Sequence, residues 1–92
     1  MVSWPAKDPN EVLDYRVDWT DRLLDGETIS TSDFTLASGD VMIDSEPSPV
    51  AGVATVWLSG GTEGTVSVLT NRITTSSART YDQSARLRIR SK

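Results

Sequence analysis

Apolar and polar residues alternate with a period of two along much of this chain, the spacing of strands rather than helices. Leu13, Tyr15, Val17 and Trp19 fall on one side of such a strand, and Asp14, Arg16 and Asp18 on the other. That is a strand with one wet face. Thr28 to Leu36 is predicted as a second strand with Ile29, Phe34 and Leu36 inward and a bulge near Ser32-Asp33, because its serines and threonines blur the phase. Val41-Met42-Ile43 is a short third strand. Val53 to Thr75 is predicted to be a hairpin, with arms Val53–Leu58 and Thr65–Ile73 rich in β-branched residues. The connection Ser59-Gly60-Gly61-Thr62-Glu63-Gly64 supplies glycines that accept positive φ. In the last strand, Thr80 to Arg90, Tyr81, Gln83, Ala85, Leu87 and Ile89 share one face while Ser84, Arg86, Arg88 and Arg90 share the other. Tyr15, Trp19, Trp57 and Leu87 are the expected core, with Trp57 filling the gap between two sheets.

About seven short strands, turn residues between them and no helical period predict an all-β fold. An immunoglobulin-like antiparallel β-sandwich fits best, with an open barrel second. Ninety-two residues suffice for one domain. Residues 1–10 read as an extended N-terminal arm, since Pro5 and Pro9 exclude helix and central strand, and residues 11–92 as the sandwich. The arm is expected to be dispensable for folding. Trp4 either folds back over the core or anchors a neighbouring subunit.

Charge changes this picture. Residues 1–46 hold three basic against eleven acidic side chains and residues 47–92 six against two, so a net charge of −4 divides into −8 and +4. An acidic half and a basic half suit self-complementary packing, within one molecule or between copies. The arginine line has three readings: a solvated or internally paired face, an intersubunit contact, or a nucleic-acid contact. The acidic total and the lack of interleaved aromatics speak against the last. If the first and last strands are neighbours, Asp14 and Asp18 neutralise part of the line. The last strand is expected at a sheet edge, where exposed backbone must be guarded or paired.

Candidate chemistry is thin. The chain has no cysteine and no histidine, which removes disulfides, thiolate sites and the commonest general base and zinc ligand. Asp14 and Asp18 on one flat face imply no pocket, and no calcium-loop spacing, Gly-x-Ser-x-Gly or phosphate loop is present. No catalytic residue, metal ligand or cofactor is expected. Neither is a nucleic-acid, membrane or small-molecule partner. Met1-Val2-Ser3-Trp4-Pro5 lacks the basic start and apolar run of a signal peptide, so synthesis in the cytoplasm is expected.

A series of short segments carries a family resemblance. Trp4-Pro5-Ala6-Lys7-Asp8-Pro9, Leu13-Asp14-Tyr15-Arg16-Val17-Asp18-Trp19, Val56-Trp57-Leu58-Ser59-Gly60-Gly61 and Thr70-Asn71-Arg72-Ile73-Thr74-Thr75, followed by Arg79-Thr80 and Asp82, resemble the small fiber–tail adaptor proteins of tailed bacteriophages and prophages. Ser38 to Pro49 matches nothing in that pattern. The resemblance implies a short immunoglobulin-like virion protein at the neck or tail, whose partners are other virion structural proteins and copies of itself. It implies no active site. The expected interface residues are Trp4, Pro5, Lys7, Arg86, Arg88 and Arg90. The alternative is an adhesion or carbohydrate-binding module of a surface protein, which aromatics exposed on a flat face would favour. A small hydrolase is a distant third.

Overall fold

Seven strands form along the chain in the computed structural model, which describes residues 1–92: β1 (Val2–Ser3), β2 (Leu13–Asp18), β3 (Ile29–Ser38), β4 (Val41–Ser45), β5 (Val53–Gly60), β6 (Val66–Thr75) and β7 (Thr80–Arg88). They make a sandwich of two sheets, β1-β7-β6-β3 and β2-β5-β4. Taken in chain order as strands A to G, these are the sheets of an immunoglobulin-type sandwich whose first strand has moved to the edge of the C–F–G sheet. All pairings are antiparallel except β1 with β7, which is parallel with Val2 opposite Ala85 and Ser3 opposite Arg86.

The predicted Val53–Thr75 hairpin does not form. β5 pairs with β2 and β4, whereas β6 pairs with β3 and β7, so the glycine-rich connection carries the chain from one sheet to the other. Gly60 and Gly61 have φ of 70° and 96°. A Cβ on Gly61 would sit 2.9 Å from the Ile89 side chain, so the crossing needs both positive φ and an absent side chain.

Two inner faces supply the core. Tyr15, Val17 and Trp19 come from β2 and its end, Ala54, Val56 and Leu58 from β5, Leu69 and Ile73 from β6, and Leu87 and Ile89 from the last strand and its end. Trp19 is 1% exposed and is the largest fully buried side chain. Its Nε1 donates to Asn71 Oδ1 at 2.8 Å, and Asn71 Nδ2 donates to Ser32 Oγ at 2.9 Å and to the Asp33 carbonyl at 3.1 Å. This buried chain joins the two sheets between β2 and β6, where antibody domains place their disulfide. Every member is satisfied, so the polar atoms add specificity without an orphaned donor.

Trp57 corrects the expected core, because it is 38% exposed. Ala54, Val56 and Leu58 hold the inner positions of β5, and strict alternation turns Trp57 to the outer face. β3 also departs from expectation. Its register slips between Ile29 and Thr31 and between Leu36 and Ser38 rather than at Ser32-Asp33, and Leu36 ends 39% exposed.

The arm lies along β7. Trp4 N–H donates to the Arg86 carbonyl at 2.9 Å, Lys7 N–H to the Arg88 carbonyl at 3.0 Å, and Arg90 N–H returns a bond to the Lys7 carbonyl at 2.9 Å. β7 is therefore an interior strand, not the expected edge. β1, together with the residues that follow it, covers that side of β7.

Candidate functional site

Alternation in β7 decides where its charges go. Ala85, Leu87 and Ile89 face the core, and Arg86, Arg88 and Arg90 face solvent from every second position. Successive guanidinium groups thus start about 7 Å apart on one line. β6 lies beside them, with Val68 opposite Arg86 and Val66 opposite Arg88. On the other side runs the arm. Between them opens a groove of about 410 Å³ lined by Ser3, Trp4, Ala6, Val66 and the three arginines. Its floor is partly apolar, since Val66 is 41% exposed.

None of the three arginines has a partner within the chain. The ion pairs are Arg16 with Asp14 at 3.6 Å, Arg72 with Asp82 at 2.8 Å, Arg79 with Glu27 at 3.7 Å and Lys92 with Glu11 at 2.9 Å. Arg22 and Arg79 also lie over the Tyr81 ring, at 4.7 and 5.2 Å. The suggested neutralisation by Asp14 and Asp18 does not occur, because β2 and β7 belong to different sheets. Asp14 pairs with Arg16, and Asp18 accepts from Thr20 Oγ1 at 2.7 Å. Three free forked donors in a row suit bidentate contact with carboxylates brought by another molecule.

The other residues expected at an interface divide. Trp4 is half-buried: its ring stacks on Tyr15 with centroids 5.0 Å apart and tilts against Phe34 at 6.5 Å, and Nε1 donates to the Arg16 carbonyl at 3.0 Å. Trp4 thus closes the space between the sheets and also forms one wall of the groove. Pro5 is exposed, and its carbonyl accepts from the Tyr15 hydroxyl at 3.1 Å. Burial, with Glu11 and Asp14 nearby, pushes the Tyr15 phenol up to about 12, so it remains a donor. Lys7 is a correction. It is 0% exposed, and Nζ donates to the carbonyls of Asp8 at 2.9 Å and Gly60 at 2.6 Å. Burial lowers its pKa, with Glu11, Asp8 and Asp44 pulling the other way. A lysine engaged by two inward carbonyls offers nothing to a neighbour.

A larger hollow, about 450 Å³, lies under the Asp25-Gly26 turn and includes Glu27. Glu27 is not a free acid there. Oε2 accepts from Thr75 Oγ1 at 2.6 Å and Oε1 from Leu24 N–H at 2.8 Å. The Thr75 bond, then the Leu24 amide, hold its carboxyl below the usual glutamate range. Nowhere do three or more acidic side chains converge in an arrangement that could hold a metal ion. Val66, Ser3 and Ala6 are the groove residues that sequence reasoning missed. The outward phase of Val66 on β6 was the available signal.

Against known families, residues 7–88 match the sequence model of a family described as podophage GP4 fiber-tail adaptor protein gp77. No curated protein matches the chain.

Proposed function

The chain belongs to the podophage fiber-tail adaptor family, and from that premise we propose that it is a non-enzymatic structural part of the virion, linking neck or tail components to fibers by protein–protein contacts. The observation that carries this reading is the arginine groove. It holds three solvated guanidinium groups without a carboxylate partner, on an interior strand, beside a half-buried tryptophan and an exposed valine. Aromatic and arginine side chains are the groups enriched at the centres of protein interfaces. A guanidinium whose partner is missing within its own chain keeps its full capacity for a carboxylate on another.

Exposure of Trp57, which lines a hollow of about 420 Å³ with Asp14, Arg16, Pro47 and Val50, is the observation that favours the carbohydrate-binding alternative. It is a single indole, with Asp14 beside it on β2 and Ser45 on β4, and the arginine groove has no task in holding a neutral sugar. The adaptor reading uses both surfaces.

Replacing Arg86, Arg88 and Arg90 together by Ser in the phage tests the reading. The expected particles lack fibers or lack this protein, while the purified variant keeps an unfolding midpoint close to that of the parent, since the side chains are exposed and unpaired. Particles with a full complement of both would refute it.

A further inference from the structure

The sandwich has two outer faces, and they carry opposite charge. One belongs to the β1-β7-β6-β3 sheet and presents Arg86 and Arg88, with Arg90 just beyond, all without an ion pair; its other exposed arginine, Arg72, is neutralised by Asp82, and the one further acid on that face, Asp33, stands opposite Arg72 on β3, away from the groove. The opposite face belongs to the β2-β5-β4 sheet. It presents Asp14, Asp18 and Asp44 against a single cation, Arg16, which pairs with Asp14 and leaves Asp18 and Asp44 without an ion pair. Trp57 sits in the middle of that acidic face, on the central strand β5, 38% exposed, with Met42 at 61% on the neighbouring strand. A large indole facing water within an acidic surround is an interface anchor awaiting a basic partner with an apolar recess.

The chain carries such a recess. The groove of about 410 Å³ on the opposite face has the exposed Val66 side chain in its lining, with Trp4 and Ala6 of the arm on one side and the three arginines along it, and that volume admits an aromatic ring. Guanidinium groups beside an entering indole give cation–π attraction, and their remaining donors reach carboxylates at its margin. The geometry points to a head-to-tail contact between copies of this chain, in which the Trp57 face of one seats on the arginine groove of the next. The inference rests on the adaptor reading and specifies its self-contact. Because the two patches differ and lie on opposite sides of the molecule, the contact is heterologous, so each copy keeps one face free for another copy or a different virion protein. Opposite charge also sets the order: groove against groove, or Trp57 face against Trp57 face, sets like charges together.

Two variants of the full chain test this. One carries Arg86→Glu with Arg88→Glu, and so has a dead groove and an intact Trp57 face. The other carries Trp57→Ala with Asp14→Asn, and so has the reverse. Sedimentation velocity follows each alone and as an equal mixture, up to about 1 mM chain, where even a weak contact is populated. The unaltered chain is expected to associate progressively with concentration and to lose association at high salt. Each variant alone should associate at least about tenfold more weakly. Their mixture should recover association and stop at the dimer, since the two faces left over are both dead. That recovery also shows that both variants are folded. A parent chain that stays monomeric throughout overturns the inference, as does a mixture no larger than its components, or a variant that dimerises like the parent. A monomeric parent whose arginine variants still block fiber attachment removes the self-contact and leaves the adaptor reading. Association as described, in particles that attach fibers regardless of the arginines, does the reverse.

Discussion

Trp19 and Trp57 show how little a residue's type says without its phase. Both are tryptophans in strand patterns, yet one is 1% and the other 38% exposed. For Trp19 the neighbours at two-residue spacing, Val17 and Tyr15, are also large and apolar, so the inward side was legible. In β5 the two alternating sets are Val53, Thr55, Trp57 and Ala54, Val56, Leu58. Both are apolar enough to be buried, and the bulk of one indole pointed to the wrong one. The energetic consequence is specific. Trp19→Ala should cost about 3–5 kcal/mol, since it opens a cavity, and it also orphans the Asn71 carbonyl. Trp57→Ala should cost about 1 kcal/mol. Urea unfolding of both variants checks this, and equal shifts would place Trp57 back in the core. Lys7 was illegible for a different reason. Its burial depends on the Gly60 carbonyl, which is 53 positions away in sequence.

At the scale of elements, alternation revealed where strands lie but not which strands are partners. The segments around β2, β4 and β7 were readable because each alternation is local. The error at β5 and β6 is one of pairing: glycines that permit positive φ serve a tight reversal and a crossing between sheets equally well. The arm is the other lesson. Two prolines argue correctly against a helix, yet they leave backbone donors at Trp4 and Lys7 free to pair with β7. The expectation that the arm is dispensable for folding therefore reverses. Removing residues 1–7 strips the Trp4 ring from Tyr15 and Phe34, deletes the buried Lys7 and bares one side of β7. We expect a loss of about 2–4 kcal/mol and aggregation through the uncovered strand. A truncated chain with an unchanged urea midpoint that stays monomeric would show the arm to be accessory. Deletion is consequently a poor test of assembly, and the exposed arginines are the better one.

For the whole molecule, the sequence foretold an acidic first half and a basic second half, and folding converts that division into two opposed faces. Several acids, Asp18 of the acidic face among them, also do local work. Asp8 accepts from the backbone of Asn10 and Lys92, Glu11 from Asp8 N–H, Asp18 from Thr20, Asp40 from Thr62, Asp82 from Arg72 and Glu27 from Thr75, and in each case these bonds lead the causes that hold the carboxyl below its usual pKa. Most of these bonds tie down a loop, a terminus or a strand end. Their folded pKa values lie below the unfolded ones, so the unfolded chain binds protons first as pH falls. Stability from these groups is complete above the unfolded values of 3.8 for Asp and 4.5 for Glu and is lost as pH drops through the depressed folded values. Urea midpoints should therefore be flat from neutral pH down to about 5 and fall steeply below about 4. Glu27→Gln isolates the one buried carboxylate in the set. It should lower the midpoint at pH 7, because Thr75 and the Leu24 amide lose a charged acceptor, and flatten the acid limb, because one proton fewer is taken up on unfolding. A variant that is destabilised equally at pH 7 and pH 3 would show that Glu27 acts by packing alone.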